Sequence, residues 1–256
     1  MEGSVISYYQ GLSVDYHLLF ENWSETVVAE GRVLDRLLRD ALGDQTHSVL
    51  DCCCGIGTQA IGLALRGHRV RGTDLTGAAV ERAAREAAAF KTSIMFSVAD
   101  VRRLSEHVEG VFDAVLACDN ALPHLLTDDD LHQGLCAMAS RLRRDGLFLA
   151  STRDYDVLVR ERPAMTPAEI LTGPPGRRII FQVWDWHPDS RGYLVQQFIA
   201  KDTGTGWQTV YHAAEYRALL RADFTDALRL AGLTDVQWHA PERSGYHQPI
   251  VTARKP

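Results

Sequence analysis

Apolar and polar positions along the first half of the chain follow a strand–helix rhythm. Val49 to Cys53 is a short apolar run with the length of a buried strand, and Thr58 to Arg66 has helical spacing stopped by Gly67. Arg69 to Thr73 reads as a second strand, followed by an alanine-rich helix capped by Thr76 and running to Phe90. Ile94 to Val98 and Phe112 to Cys118 give a third and a fourth strand. Thr127 then caps a helix whose first turn, Asp128-Asp129-Asp130, sets three carboxylates at the positive helix end. That helix is predicted to reach Arg144, to turn at Asp145-Gly146 and to lead into a fifth strand, Leu147 to Ser151. Five such units in succession call for a doubly wound, largely parallel sheet.

Upstream, Leu34, Leu37, Leu38 and Ala41 recur at helical spacing and predict an amphipathic helix over 24–42 that ends at Gly43. An aromatic arm precedes it: Tyr8, Tyr9, Tyr16, His17, Phe20 and Trp23. After the fifth strand the pattern changes. Residues 166–178 are rich in Pro and Gly. Ile179 to His187, Tyr193 to Lys201 and Trp207 to Ala213 then predict three antiparallel strands, joined by Pro-Asp-Ser-Arg-Gly and Gly-Thr-Gly turns. A helix over 217–231 and two closing strands, Val236 to His239 and Gln248 to Ala253, complete the chain.

Composition narrows the class. The 256 residues, at ~150 residues per domain, amount to about 1.7 domains. Contents of 46% hydrophobic and 23% charged residues fit a globular protein and argue against disorder or a fibrous chain. With 33 acidic against 27 basic residues and a net charge of -6, the chain lacks the electrostatic footprint of a nucleic-acid binder. MEGSVISYYQ has neither a basic cluster nor an apolar run, so no secretory leader is expected. No stretch approaches the ~18 to 20 apolar residues of a membrane span. Of the five cysteines, three are adjacent (Cys52, Cys53, Cys54) and two are isolated (Cys118, Cys136). Such a set is a poor disulfide framework and points to a reducing cytoplasmic compartment. Zinc favours C-x(2–4)-C spacing, so no metal is expected either.

The segment with most chemistry is VLDCCCGIGTQA, residues 49–60, in which Gly55-x-Gly57-x-x-Ala60 satisfies the loose dinucleotide pattern. A tight glycine turn between strand and helix serves many ligands, so the discriminating residue is Asp51. A carboxylate there repels a pyrophosphate and favours the ammonium and sulfonium of S-adenosylmethionine. Asp74, ending the second strand, suits two ribose hydroxyls in either cofactor class. Asp100, after the third strand, is placed to accept from an adenine exocyclic amine. Together they fit a phosphate-free, cationic adenosyl ligand better than NAD. Plainer roles remain open: a turn former for Asp51, a helix cap for Asp74 and a solvated loop acid for Asp100.

The chain resembles the class I S-adenosylmethionine-dependent methyltransferases and, within them, the glycine N-methyltransferase group. The residues carrying this are V-L-D-C-C-C-G-I-G-T (49–58), G-T-D-L (72–75), F-D-A-V-L-A-C-D-N-A-L-P-H-L (112–125) and S-T-R-D-Y-D (151–156). The resemblance covers residues 8–155 and returns faintly in A-D-F-T and S-G-Y near the end. It implies an α/β, Rossmann-like, doubly wound seven-stranded sheet with an antiparallel β insertion as a cap and an N-terminal helical lid. A single domain is then expected: lid helices over 1–43, a cofactor-binding core over 44–154, the cap over 155–214, and a helix with closing strands over 215–256.

By the same resemblance, Tyr16, Trp23, Asp51, Cys54, Gly55, Gly57, Asp74, Leu75, Asp100, Val101 and Cys118 surround the methyl donor. Asn120 and Arg153 hold an amino-acid acceptor, with His124 and Tyr155 beside them and Tyr8, Tyr9 and Tyr246 on the substrate side. The chemistry agrees independently, because guanidinium recognises carboxylate bidentately and an amide oxygen accepts from an amine. Plainer readings are a surface ion pair of Arg153 with Asp154 or Asp156, and an Asx turn for Asn120 ahead of Pro123. On a strand, Gln182, Trp184 and Trp186 share one face, a candidate substrate wall with cation–π capacity or plain sheet packing. Gln182 to His187 and Gln196-Gln197 have no family counterpart and leave room for an acceptor larger than glycine. The expected activity is methylation of the amine of an amino acid or amino-acid-like small molecule. The alternatives are an amino sugar or hydroxyl of a secondary metabolite, a dehydrogenase, and a cofactor-binding regulator without turnover. A small-molecule amine is the expected partner, with no nucleic acid or membrane; self-association, as in some family members, stays open.

Overall fold

The computed structural model describes residues 2–188 and 191–256. The chain opens with α1 (Glu2–Asp15), a 3-10 turn (Tyr16–Leu19) and α2 (Trp23–Leu42). Asn22 caps α2 by accepting from the Ser24 and Glu25 N–H groups, and Gly43 ends it at φ +96. Core elements follow: β1 (Ser48–Asp51), α3 (Thr58–Leu65), β2 (Arg69–Asp74), α4 (Gly77–Ala89), β3 (Met95–Val98), α5 (Leu104–His107), β4 (Phe112–Ala117), α6 (Asp128–Ser140) and β5 (Leu142–Ser151). Then come α7 (Tyr155–Glu161), β6 (Glu169–Leu171), β7 (Arg178–Trp186), β8 (Gly192–Asp202) and β9 (Trp207–Arg217). The chain closes with α8 (Arg221–Leu230), β10 (Thr234–His239), α9 (Pro241–Ser244) and β11 (Ile250–Arg254).

A seven-stranded sheet in the order β10-β11-β5-β4-β1-β2-β3 bears out the expected class. Its pairs from β5 to β3 are parallel, while β11 runs antiparallel to β5 and β10. Strand order reverses between β1 and β4, which sets the ligand crevice at their carboxyl ends. A second sheet, β6-β7-β8-β9, is antiparallel. Its inner residues Trp184, Tyr193, Val195, Ile199 and Tyr216 belong to the same buried cluster as Leu50, Val115 and Phe148 of the first sheet. The α1 helix packs on α4 and β9 and so spans both sheets. Close approach of α2 to α3 depends on Gly62, where a Cβ would lie 2.5 Å from the Val27 carbonyl oxygen. Among the described residues, no helix is long and apolar enough to cross a membrane.

Several boundaries differ from expectation. The β1 strand stops at Asp51, which leaves Cys52 and Cys53 in the turn. Helix α6 stops at Ser140 and β5 starts at Leu142, because the Phe112 N–H bonds to the Arg141 carbonyl and Asp145 N–H to that of Lys255. These contacts hold Arg143 and Arg144 extended, with a register shift between Phe112 and Ala114. Helix α8 starts at Arg221 because β9 continues to Arg217, paired with Gly192. Thr76 makes no side-chain cap; its hydroxyl donates to Asp74 instead. Helix α1 falls in the expected N-terminal helical segment, whereas the short helices α5, α7 and α9 and strand β6 lie outside the sequence reading. Of the predicted Pro-Asp-Ser-Arg-Gly turn, Asp189 and Ser190 lie outside the described residues.

Candidate active site

A cavity of about 450 Å³ opens at the carboxyl ends of the central strands. Of the residues expected around the donor, Tyr16, Cys54, Gly55, Asp74 and Leu75 line it, as do Asp100, Val101 and Cys118. Its floor is the β1–α3 loop, where Gly55 (φ +52) and Gly57 (φ +95) adopt backbone angles that favour glycine. A Cβ on Gly57 would also lie 3.0 Å from Ile61 Cδ1.

Asp74 ties this loop to the next. Its Oδ2 accepts from the Gly55 N–H at 3.0 Å, and its Oδ1 accepts from the N–H (3.0 Å) and hydroxyl (3.1 Å) of Thr76. Burial raises its pKa against these bonds. Asp51 is 1% exposed, and neither carboxylate oxygen has a hydrogen-bond partner among the described residues. Burial pushes its pKa up to about 8, opposed by the nearby Cys53 and Ala60 N–H groups and reinforced by the charges of Asp119 and Asp74. Asp51 itself is not a lining residue, although Cys52 to Gly55 beside it are.

Two donor-side expectations change. The Asp100 carboxylate is clamped by Arg102, with Nη2 at 2.6 Å, and Arg102 Nη1 also reaches Asp130 at 2.7 Å. Burial raises the Asp100 pKa, but these bonds and the Arg102 charge outweigh it and hold it below the usual range. Trp23 does not line the cavity. It is buried with Val27, Ile56 and Ile61, and its indole N–H donates to Thr58 Oγ1 at 3.0 Å, which braces the start of α3.

The acceptor-side residues divide between this cavity and a second one of about 660 Å³. Tyr9 and His124 line the first. His124 Nδ1 is 3.1 Å from the Glu215 carbonyl and therefore carries the proton, so Nε2 accepts from the Tyr9 hydroxyl at 2.8 Å. Burial lowers its pKa to about 3, with Arg153 adding to the effect against the Glu215 bond. His124 is neutral with both nitrogens occupied, so it is a positioning group for Tyr9 and not a base. Tyr8 lines neither cavity. Its ring packs edge-on against Tyr9 and His212, in the core.

Arg153, Gln182 and Trp184 line the second cavity. The Arg153 guanidinium donates to Tyr193 Oη and to Gln182 Oε1, both at 2.9 Å, and lies 4.7 Å from the Trp184 ring centre and 5.3 Å from that of Tyr216. Asp154 and Asp156 pair with Arg221 instead. Among the described residues no carboxylate reaches ion-pair distance of Arg153. Asn120, 3% exposed, also differs from expectation. Its Oδ1 accepts from the Arg153 N–H at 3.2 Å and from the Tyr155 hydroxyl at 2.9 Å, while the buried Nδ2 has no partner. The free group is a donor suited to an oxygen, not an acceptor for an amine. Tyr155 bonds onward to Tyr193 at 2.8 Å and, like Asn120, Tyr246 and Trp186, is not a lining residue. Trp186 stacks on Tyr193 at 4.6 Å and donates to the Pro163 carbonyl, which is sheet packing.

Sequence reasoning missed Asp119, which lines the first cavity at φ +55, and Glu30 and His247 beside it. Glu30 left a signal: it sits on the apolar stripe of α2 between Val27 and Leu34. The imidazole of His247 lies between the carboxylates, Nδ1 3.3 Å from Glu30 and Nε2 3.5 Å from Asp119.

Comparisons with known proteins agree with this geometry. Residues 49–146 match the family model described as a methyltransferase domain. Glycine/sarcosine N-methyltransferase of Parasynechococcus marenigrum is 31% identical over 54% of this chain and 48% of its own. The chain thus spans about half the length of the curated relatives it matches. Among solved structures, DesVI of Streptomyces venezuelae superposes with a TM-score of 0.77 at 17% identity, covering 94% of this chain and 97% of that one. CalS10 of Micromonospora echinaspora, described as an amino pentose methyltransferase with bound S-adenosylmethionine, gives 0.72 at 16% identity over 90% and 92%. At these identities the superpositions speak for the fold. Residues 49–146 are thus similar to a methyltransferase domain, and the chain shares its fold with the superposed structures.

Proposed function

We propose that the protein transfers a methyl group from S-adenosylmethionine to the amine of a carboxylate-bearing small molecule, an amino acid or a close analogue. The residues present fit the donor. Asp51 offers two buried oxygens without a partner to a cationic group. The Gly55–Gly57 turn leaves room for close approach, and Asp74, held by Gly55 and Thr76, faces the cavity where a ribose would sit. When bound, the donor supplies a methyl group on a sulfonium, open to in-line displacement.

The observation that carries the acceptor assignment is Arg153. A guanidinium lining a cavity with only neutral partners is an anion site with its counter-charge missing, and a carboxylate matches its fork. Asn120 Nδ2, buried and without a partner, adds a second donor nearby. Aligning amine and methyl carbon supplies ~7 to 11 kcal/mol of the barrier. The amine must also be neutral. For a lysine-like pKa of ~10.4, deprotonation at pH 7 costs roughly 4 to 5 kcal/mol, and desolvation in a cavity walled by Tyr9 and Tyr16 offsets part of this.

A second reading, methylation of an amino sugar, is favoured by Glu169, Glu242 and Gln248, polar residues that line the second cavity with Trp184 and match ring hydroxyls. CalS10, similar in fold, is described as acting in that class. The two are separated by incubating the protein with donor carrying a deuterated methyl group, a panel of amino acids and a panel of amino sugars, and locating the label by mass spectrometry. Label on the nitrogen of carboxylate-bearing acceptors supports the first reading; label confined to sugars or to hydroxyl oxygens overturns it.

A further inference from the structure

Amine methylation releases a proton for which the site described so far has no destination. His124 cannot take it, since Nδ1–H is held by Glu215 and Nε2 by Tyr9. The buried tyrosines do not supply a base either: burial raises the pKa of Tyr9 and Tyr16 well above the ordinary value, so both stay protonated.

One array of side chains runs from the first cavity to the second and on to solvent. Asp119 lines the first cavity, and its side chain is 16% exposed. His247 lines the second, and half of its side chain is exposed. Between them, Nε2 of His247 lies 3.5 Å from Asp119 Oδ1, and Nδ1 lies 3.3 Å from Glu30 Oε1. These are ion-pair contacts a few tenths of an ångström beyond hydrogen-bond length, a gap that a half-exposed ring closes by rotation. The carboxylates themselves are fixed. Gln59 Nε2 donates to both at 2.8 Å, and the Tyr246 hydroxyl lies 2.6 Å from Asp119 Oδ1 and 3.1 Å from Glu30 Oε2. The Asp119 main chain is fixed too, by its N–H bond to Ser151 Oγ at 2.8 Å.

We propose that Asp119 takes the proton from the acceptor ammonium and that His247 carries it out of the site. This rests on the N-methylation reading. An N–H bond of the ammonium breaks, its electron pair stays on nitrogen, and the proton bonds to an Asp119 carboxylate oxygen. It passes to Nε2 of a neutral His247 and leaves the exposed ring for water. The neutral amine then forms its bond to the methyl carbon as the carbon–sulfur bond breaks, and the sulfur keeps the electron pair. The positive charge ends on the methylated nitrogen, beside Asp119.

The ionisable groups facing Asp119 are Tyr16 from the 3-10 turn, Glu30 from α2, Asp51 from β1, the adjacent Cys118, and Tyr246 and His247 from the segment after α9. Those facing His247 are Glu30 and Asp119. Burial alone would lower the His247 pKa, but the Glu30 bond and the two carboxylate charges outweigh it and leave it raised. Burial and the Asp119 charge raise Glu30. Both shifts favour the protonated forms of Glu30 and His247, and the His247 ring is half exposed to solvent.

The test is the pH profile of methylation, from about pH 6 to about pH 10, for the wild-type protein, Asp119→Asn and His247→Gln. Asparagine tolerates the left-handed backbone at position 119, so the first variant keeps the turn. Calorimetric binding of S-adenosylhomocysteine, expected within about threefold of wild type, checks fold and donor site. Asp119→Asn is expected to lose about 100-fold in kcat near pH 7, with the deficit closing toward pH 10, where the amine enters already neutral. His247→Gln is expected to show the same trend at about tenfold. His247→Gln alters a half-exposed ring and carries the test if Asp119→Asn does not fold. A loss that is constant across pH, or a wild-type profile, overturns the relay. So does a loss of S-adenosylhomocysteine affinity beyond about tenfold in Asp119→Asn, which would assign the carboxylate to the donor's ammonium. A wild-type protein that methylates no amine overturns the N-methylation reading instead.

Discussion

The β1–α3 loop and the wall around Arg153 bury ionisable groups of opposite kind, acids in the first and a guanidinium in the second. In the loop, Asp51 has no partner, and the Asp74 carboxylate is held by N–H groups and a hydroxyl with no cation beside it. In the wall, Arg153 is held by a phenol, an amide and two aromatic faces with no anion beside it. A buried charge without a counter-charge is unfavourable unless a ligand completes it. On the proposed reading, the first region takes a cationic donor and the second an anionic acceptor. The sign of the missing partner separates the two better than either lining set alone.

Perturbing each region on its own should break this contrast in a defined order. Asp74→Ala leaves the Gly55 and Thr76 N–H groups without their acceptor and should weaken S-adenosylhomocysteine about 100-fold, or roughly 2.7 kcal/mol, by calorimetry. The acceptor KM at saturating donor should stay unchanged. Asp51→Asn should weaken the same ligand about tenfold. Its effect on stability has the opposite sign. The folded-state pKa of about 8 lies above the unfolded value of 3.8, so the native state binds the extra proton between them. Stability of the ligand-free protein therefore falls as pH rises through that window, and Asp51→Asn should flatten the fall and raise the melting temperature at pH 8. On the acceptor side, Trp184→Ala removes an aromatic face from Arg153 and should raise acceptor KM about tenfold with donor affinity unchanged. Trp186→Phe loses its bond to the Pro163 carbonyl and part of its ring contact with Tyr193 and Arg162. It should cost about 1 kcal/mol, a shift of about 2 to 4 °C in melting temperature, with kinetics unaltered.

The two regions also differ in how far the sequence reveals them. The donor side is written locally, because a strand end, two glycines and an acid at the next strand end fall within a short stretch and their spacing fixes their geometry. Asp74, Gly55 and Leu75 accordingly line the cavity as expected. Asp100 lines it too, but its clamp by Arg102, two residues on, was not legible, because a loop acid's partner is not encoded in periodicity. The acceptor side is assembled across the chain. Asn120, Arg153, Tyr193 and Gln182 meet only when the second sheet closes on the first. Strand alternation correctly grouped Gln182, Trp184 and Trp186 on one face, but not which of them reaches the cavity. The polarity of Asn120 was misjudged for the same reason, since its oxygen is claimed by a distant N–H and a distant hydroxyl.

The central claim is that Arg153 selects acceptors by their carboxylate. The direct measurement is the ratio of kcat/KM for an amino acid to that for the matching amine without a carboxylate, in the wild-type protein and in Arg153→Ala. The account predicts a wild-type preference of about 100-fold for the amino acid and a ratio near one in the variant. An equal preference in both proteins, or none in the wild type, would contradict it.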